Sequence, residues 1–153
     1  MDEALQFEIY TDKASYKMGE NILVRLHLYN MTQDPIIVNS RFGLNRPNRI
    51  GEVWLDFMGP SGEPVLFTAS VNIGSPKGND FTPLAPSKSV GRQYTLQNYY
   101  SINEPGEYTL SGKYNNKWSG EDAEGLNVWT GTLESKTVKF KIEEIAETEE
   151  SPD

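Results

Sequence analysis

Hard oxygen donors cluster between Asn115 and Asn127, where Glu121, Asp122 and Glu124 sit among asparagines with Gly120 and Gly125 loosening the backbone. Calcium takes roughly six to eight oxygens converging on one point. Glu121, Asp122 and Glu124 are the residues that would bring charge to such a site, and calcium is the one cofactor this sequence suggests. Their spacing does not follow the EF-hand ladder of alternating acids closed by a glutamate. A solvated polar loop is therefore the competing reading. Two tryptophans, Trp118 and Trp129, flank the same loop, and Tyr99 and Tyr100 stand together in another connection. Exposed rings with polar neighbours can stack on the apolar faces of sugars, which makes these four the candidate binding residues. The alternative is that the tryptophans cover the open end of the fold and are half buried.

Chemistry of other kinds finds little footing. His27 is the single histidine, and it lies on the polar parity of a strand between Leu26 and Leu28, where a surface residue is expected rather than a general base. There is no Gly-x-Ser-x-Gly elbow, no cysteine nucleophile and no glycine-rich phosphate loop leading into a helix. The expectation is a protein without catalytic activity. Asn30-Met31-Thr32 matches the N-glycosylation sequon, a pattern that chance supplies readily.

The elements that must position these residues repeat with a period of two. Leu5, Phe7 and Ile9 alternate with polar residues. Ile22, Val24, Leu26 and Leu28 share one face of the next segment, and Val53, Leu55 and Phe57 share another, with Trp54 on the opposite parity. That parity suggests that Trp54 packs on an edge or against the loop after Phe67. Gly59-Pro60-Ser61-Gly62 reads as a turn into Val65-Leu66-Phe67, a hairpin signature. Val90, Tyr94 and Leu96 follow, then Tyr108, Leu110 and Tyr114, and last Val138, Phe140 and Ile142. Such alternation means sheets with one buried and one wet face, hence antiparallel pairing. Residues 71–89 and 115–130 read as long connections between sheets. The expected class is all-β: an immunoglobulin-like antiparallel β-sandwich of seven to nine strands.

Charge divides the chain unevenly. Of 22 acids and 14 bases, six acids and no base fall in residues 143–153, so residues 1–142 carry 16 acids against 14 bases. The expected organisation is a sandwich over residues 1–142 and an acidic, disordered tail over 143–153, too poor in apolar content to offset its ordering entropy. No face gathers Lys and Arg, so no nucleic-acid partner is expected. Apolar runs reach only four or five residues, so no membrane span is expected. The first residues show no secretory leader pattern. Zero cysteines exclude a disulfide scaffold and thiolate zinc sites, and suit either a reducing or an extracellular setting.

One stretch sharpens the fold. In Asn103-Glu104-Pro105-Gly106-Glu107-Tyr108-Thr109-Leu110, a Pro-Gly turn delivers a tyrosine into a strand. This is the pattern of a tyrosine corner, in which the phenol closes back on the backbone. Leu110 takes the place that a bridge cysteine holds in antibody-type domains. Together with Tyr16-Lys17-Met18-Gly19-Glu20-Asn21-Ile22-Leu23-Val24 and Phe81-Thr82-Pro83-Leu84-Ala85-Pro86, the corner resembles the immunoglobulin-like domains of bacterial secreted and surface proteins. More distantly, it is similar to the sandwich family of the bacterial intracellular proteinase inhibitor. The resemblance covers roughly residues 5–142 and rests on strand and turn motifs, which speak for fold more than function. The expected role is a non-catalytic binding or spacer module of an envelope or secreted protein, extracytoplasmic, with a protein or polysaccharide as the expected partner. An inhibitor presenting a sandwich loop and a carbohydrate-binding module are the alternative expectations.

Overall fold

The computed structural model describes residues 4–46, 49–71 and 73–144. Among the described residues, ten strands form in chain order: β1 (Leu5–Thr11), β2 (Ser15–Lys17), β3 (Leu23–Asn30), β4 (Ile36–Asn39), β5 (Val53–Met58), β6 (Phe81–Leu84), β7 (Ser89–Thr95), β8 (Gly106–Asn116), β9 (Gly131–Glu134) and β10 (Val138–Glu143). Four of them have only three or four residues. One layer is the antiparallel sheet β1-β3-β7. The other is β2-β10-β8-β5, with β9 also paired to β8. Its pairs are antiparallel except β2, which joins β10 in parallel after the chain leaves the first sheet behind β1. The result is an all-β sandwich, and no helix among the described residues is long and apolar enough to cross a membrane.

The period of two sets the core. Leu5, Phe7 and Ile9 of β1 and Val24, Leu26 and Leu28 of β3 are buried against Val53, Leu55, Phe57, Leu110, Tyr114 and Phe140 of the other layer. Gly112 interrupts the inward row of β8, and Ile9 and Leu55 fill its place. The tyrosine corner is formed: Tyr108 Oη donates to Glu104 O at 2.6 Å, and Leu110 two residues later is fully buried.

Three segments depart from the alternation. Residues 71–89 do not run as an uninterrupted loop; they hold β6, which pairs with β4 as a separate two-stranded sheet. Pro83 obscures this strand, and it is tolerated because β6 pairs on one side only. Val65-Leu66-Phe67 does not form the second arm of a hairpin. Past the bridge between Met58 and Pro64 and the bond from Val65 N to Phe57 O, the chain leaves β5 and meets Tyr100 instead. At the other end, Glu143 belongs to β10, its carbonyl accepting from Met18 N. Of the expected acidic tail, residues 145–153 lie outside the described residues.

Candidate functional site

At one end of the sandwich, the connection between β4 and β5 meets the residues that follow β8. A buried polar network holds them together. Glu52 is 1% exposed, yet its carboxylate accepts four hydrogen bonds: from Arg41 Nε (2.9 Å) and Nη2 (2.7 Å), Gly43 N (2.8 Å) and Asn39 Nδ2 (3.1 Å). Such pairing is what permits a charge in an apolar interior. Asn39 Nδ2 also donates to Asn116 Oδ1 at 3.1 Å, and Tyr114 Oη donates to Asn39 O at 2.7 Å. Asn116 Nδ2 in turn donates to the carbonyls of Trp118 (3.0 Å) and Trp129 (2.6 Å). The network thus ties the buried ion pair to both tryptophan-bearing ends of residues 117–130.

Burial raises the phenols that close this region. Tyr94, which donates to Phe42 O, is pushed up to about 12, and desolvation holds Tyr114 far above the usual phenol range. Both stay neutral donors at physiological pH.

Outside the network lies a cleft of about 250 Å³ lined by Arg49, Ile50, Gly51, Trp54, Asn115, Lys117 and Trp118. Trp54 stands on the outward parity of β5 and packs against the Arg49–Gly51 turn, its Nε1 donating to Arg49 O at 3.3 Å. Lys117 Nζ sits 5.0 Å from the centre of the Trp118 ring, a cation–π contact. Asn115 Nδ2 donates to Thr132 Oγ1 (2.7 Å) and Gly131 O (3.2 Å), which leaves its Oδ1 as the acceptor at the cleft.

The expected aromatic residues separate. Trp118 reaches the cleft while resting on a small cluster of Phe81, Ala123 and Val128. Trp129 instead packs on Tyr114, centroids 6.1 Å apart, and covers Gly131. It is half buried, as the alternative reading had it, and lies against the main core rather than beside Trp118. Tyr100 is a correction: it is 5% exposed in the core, edge-on to Phe57 and Phe67, and has no face to offer a ligand. Tyr99 is half buried between Tyr94 and Phe67.

Glu121 and Asp122 fall in a single 3₁₀ turn, exposed, and Glu124 follows in a left-handed conformation with its carboxylate against Gly78. Among the described residues, no three acidic or imidazole side chains come together to hold a metal ion, so the calcium reading gains no support from this geometry. Residues 120–126 instead fold on themselves through bonds between Gly120 and Leu126, and bury Ala123.

His27 lies on the outer face of the three-stranded sheet, its ring centre 5.8 Å from Tyr10 and 5.9 Å from Tyr29. Its Nδ1 is buried over Gly91 without a hydrogen-bond partner. Asn30 of the sequon is 1% exposed, and its amide is consumed by Asp34 O and Leu84 O at 2.8 Å each. A glycan there would require the strand to open.

Sequence reasoning missed Trp54, Arg49 and Glu52 as members of this end. No protein-family model and no curated protein matches the chain, so the geometry alone carries the reading of the site.

Proposed function

We propose that the protein is a non-catalytic binding module that takes its ligand in the cleft between Trp54 and Trp118. The observation that carries this reading is the cleft itself: Trp54 and Trp118 line one concave surface together with Asn115, Arg49 and Lys117. That combination of aromatic walls and a few directed polar groups is the general composition of ligand sites. A volume of about 250 Å³ falls just below the roughly 300–1,000 Å³ typical of pockets for drug-sized ligands. It accommodates one ring at a time, which favours a polysaccharide over a globular protein epitope. The buried network beneath supports the same reading, because it spends stability on holding the cleft-forming loops in one arrangement. A setting outside the cytoplasm, in an envelope or secreted protein, goes with a polysaccharide ligand. An inhibitor of proteases would need an extended, outward-bowed loop, whereas residues 120–126 are folded back on themselves.

The test is retention on a panel of immobilised neutral and acidic polysaccharides, comparing the protein with Trp54→Ala and Trp118→Ala. Retention on at least one polysaccharide, lost in both variants while their far-ultraviolet circular dichroism is unchanged, is the expected result. Retention that survives both substitutions, or none on any member of the panel, overturns the reading.

A further inference from the structure

The charges around the cleft identify a ligand class, an inference that rests on the binding-module reading. The chain as a whole carries net −8, and residues 1–142 hold 16 acids against 14 bases. The cleft reverses that sign: Arg49 and Lys117 line it, and among the described residues no carboxylate does. Both residues are exposed, and each is tied to a tryptophan of the cleft, Lys117 through its side chain and Arg49 through its backbone. The Lys117 ammonium is held over the Trp118 ring, and the Arg49 carbonyl fixes Trp54 by accepting from Nε1.

Each part of the lining suits a part of one kind of molecule. The Trp54 indole takes the C–H face of a pyranose, whereas Trp118 rests on Phe81, Ala123 and Val128 and carries the Lys117 ammonium over its ring. The free Oδ1 of Asn115 accepts from a ring hydroxyl, since its Nδ2 is already spent on Gly131 O and Thr132 Oγ1. A carboxylate carried on the same ring meets the guanidinium and the ammonium, which form charge-assisted bonds to such groups. We infer that the cleft recognises a uronic acid residue of an acidic polysaccharide. A neutral sugar would bring no counter-charge to Arg49 and Lys117, and an acidic peptide would bring no sugar ring to the tryptophans that line the cleft.

The experiment is calorimetric titration of the whole chain with oligogalacturonate and alginate oligomers. Methyl-esterified oligogalacturonate serves as the uncharged counterpart of the same ring, with a neutral cello-oligosaccharide and poly-glutamate as further arms. The expected result is binding of at least one uronate oligomer, weakened about fivefold by Arg49→Ala or Lys117→Ala and weakened further by added salt. The methyl ester should bind at least about tenfold more weakly, by the loss of two charge-assisted contacts. Equal binding of acid and ester, or binding of the cello-oligosaccharide alone, overturns the uronate inference while leaving the cleft as a sugar site. Poly-glutamate binding as tightly as the uronates, with the same dependence on Arg49 and Lys117, overturns it in favour of an acidic peptide. Loss of binding in Trp54→Ala and Trp118→Ala separates stacking from charge alone, and silence from every saccharide overturns both readings. Both charge substitutions lie on exposed side chains, so unchanged melting temperatures are expected and are measured alongside.

Discussion

Arg41→Met examines the buried ion pair most directly. Methionine retains much of the aliphatic stem and removes the guanidinium, so Glu52 loses the bonds from Nε and Nη2 and keeps those from Gly43 N and Asn39 Nδ2. With the Glu52 side chain 1% exposed and that of Arg41 15% exposed, water cannot replace what is lost. Stranding one member of such a pair costs about 3–5 kcal/mol, a large share of a total stability on the order of 5–15 kcal/mol. The double variant Arg41→Met/Glu52→Leu removes both charges, and leaves Gly43 N and one Asn39 amide proton without acceptors. Its expected loss is about 1–3 kcal/mol for the orphaned donors, so it should be more stable than Arg41→Met alone. Equilibrium urea unfolding measures this, followed by circular dichroism and tryptophan emission, with unchanged denaturant dependence as the check on two-state behaviour. The emission also reports on the cleft, because Asn116 links the network to the carbonyls of Trp118 and Trp129. A loss below about 1 kcal/mol for Arg41→Met, or a double variant equal to the sum of its singles within about 0.5 kcal/mol, would refute the reasoning.

Tyr108→Phe removes the 2.6 Å bond to Glu104 O and should lower stability by about 1 kcal/mol in the same urea titration; no change would mean that the corner is held by packing alone. Gly112→Ala would set a Cβ 2.6 Å from Ile9 Cδ1 and 2.9 Å from Leu55 Cδ2, and about 1–3 kcal/mol of overpacking cost is expected. A neutral or stabilising outcome in thermal unfolding would show that both side chains can yield. Alkaline pH should unfold the protein through its tyrosines. Burial raises Tyr16 and Tyr94 to about 12 and raises Tyr100, Tyr108 and Tyr114 as well. The unfolded chain therefore ionises first, near pH 10. Their contribution is complete below about pH 10 and falls as pH rises toward and beyond 12, by about 1.4 kcal/mol per pH unit for each such phenol. Tyrosinate absorbance and circular dichroism followed together should show these phenols ionising with unfolding; their titration in the intact fold near pH 10 would contradict the burial argument.

Tyr114 shows how far alternation reaches. Leu110, Gly112, Tyr114 and Asn116 share the inward parity of β8, so the burial of Asn116 was legible as the next inward position. The same holds for Asn30, which continues the row Val24, Leu26 and Leu28. Both were obscured because asparagine reads as a loop residue, and both are buried with their amides bonded. Glu52 is different. It shares the parity of outward-facing Trp54, yet is buried, because the chain turns at Gly51, where φ is +158° and a Cβ would stand 2.8 Å from Gly43 O. No period in the sequence anticipates that turn.

The inward rows of the alternating strands and the tyrosine corner follow from the sequence alone, since alternation and turn chemistry are local properties carried by neighbouring residues. The cleft does not. Trp54 and Trp118 share it because β5 pairs with β8 in the register Trp54 opposite Lys113, and because the Arg49–Gly51 turn and Lys117 close over that end. The same long-range pairing sent Tyr100 into the core and Trp129 onto Tyr114. An aromatic side chain carries no sign of which face will be covered. Burial at such positions depends on what distant segments bring against them, and that only the assembled sandwich decides.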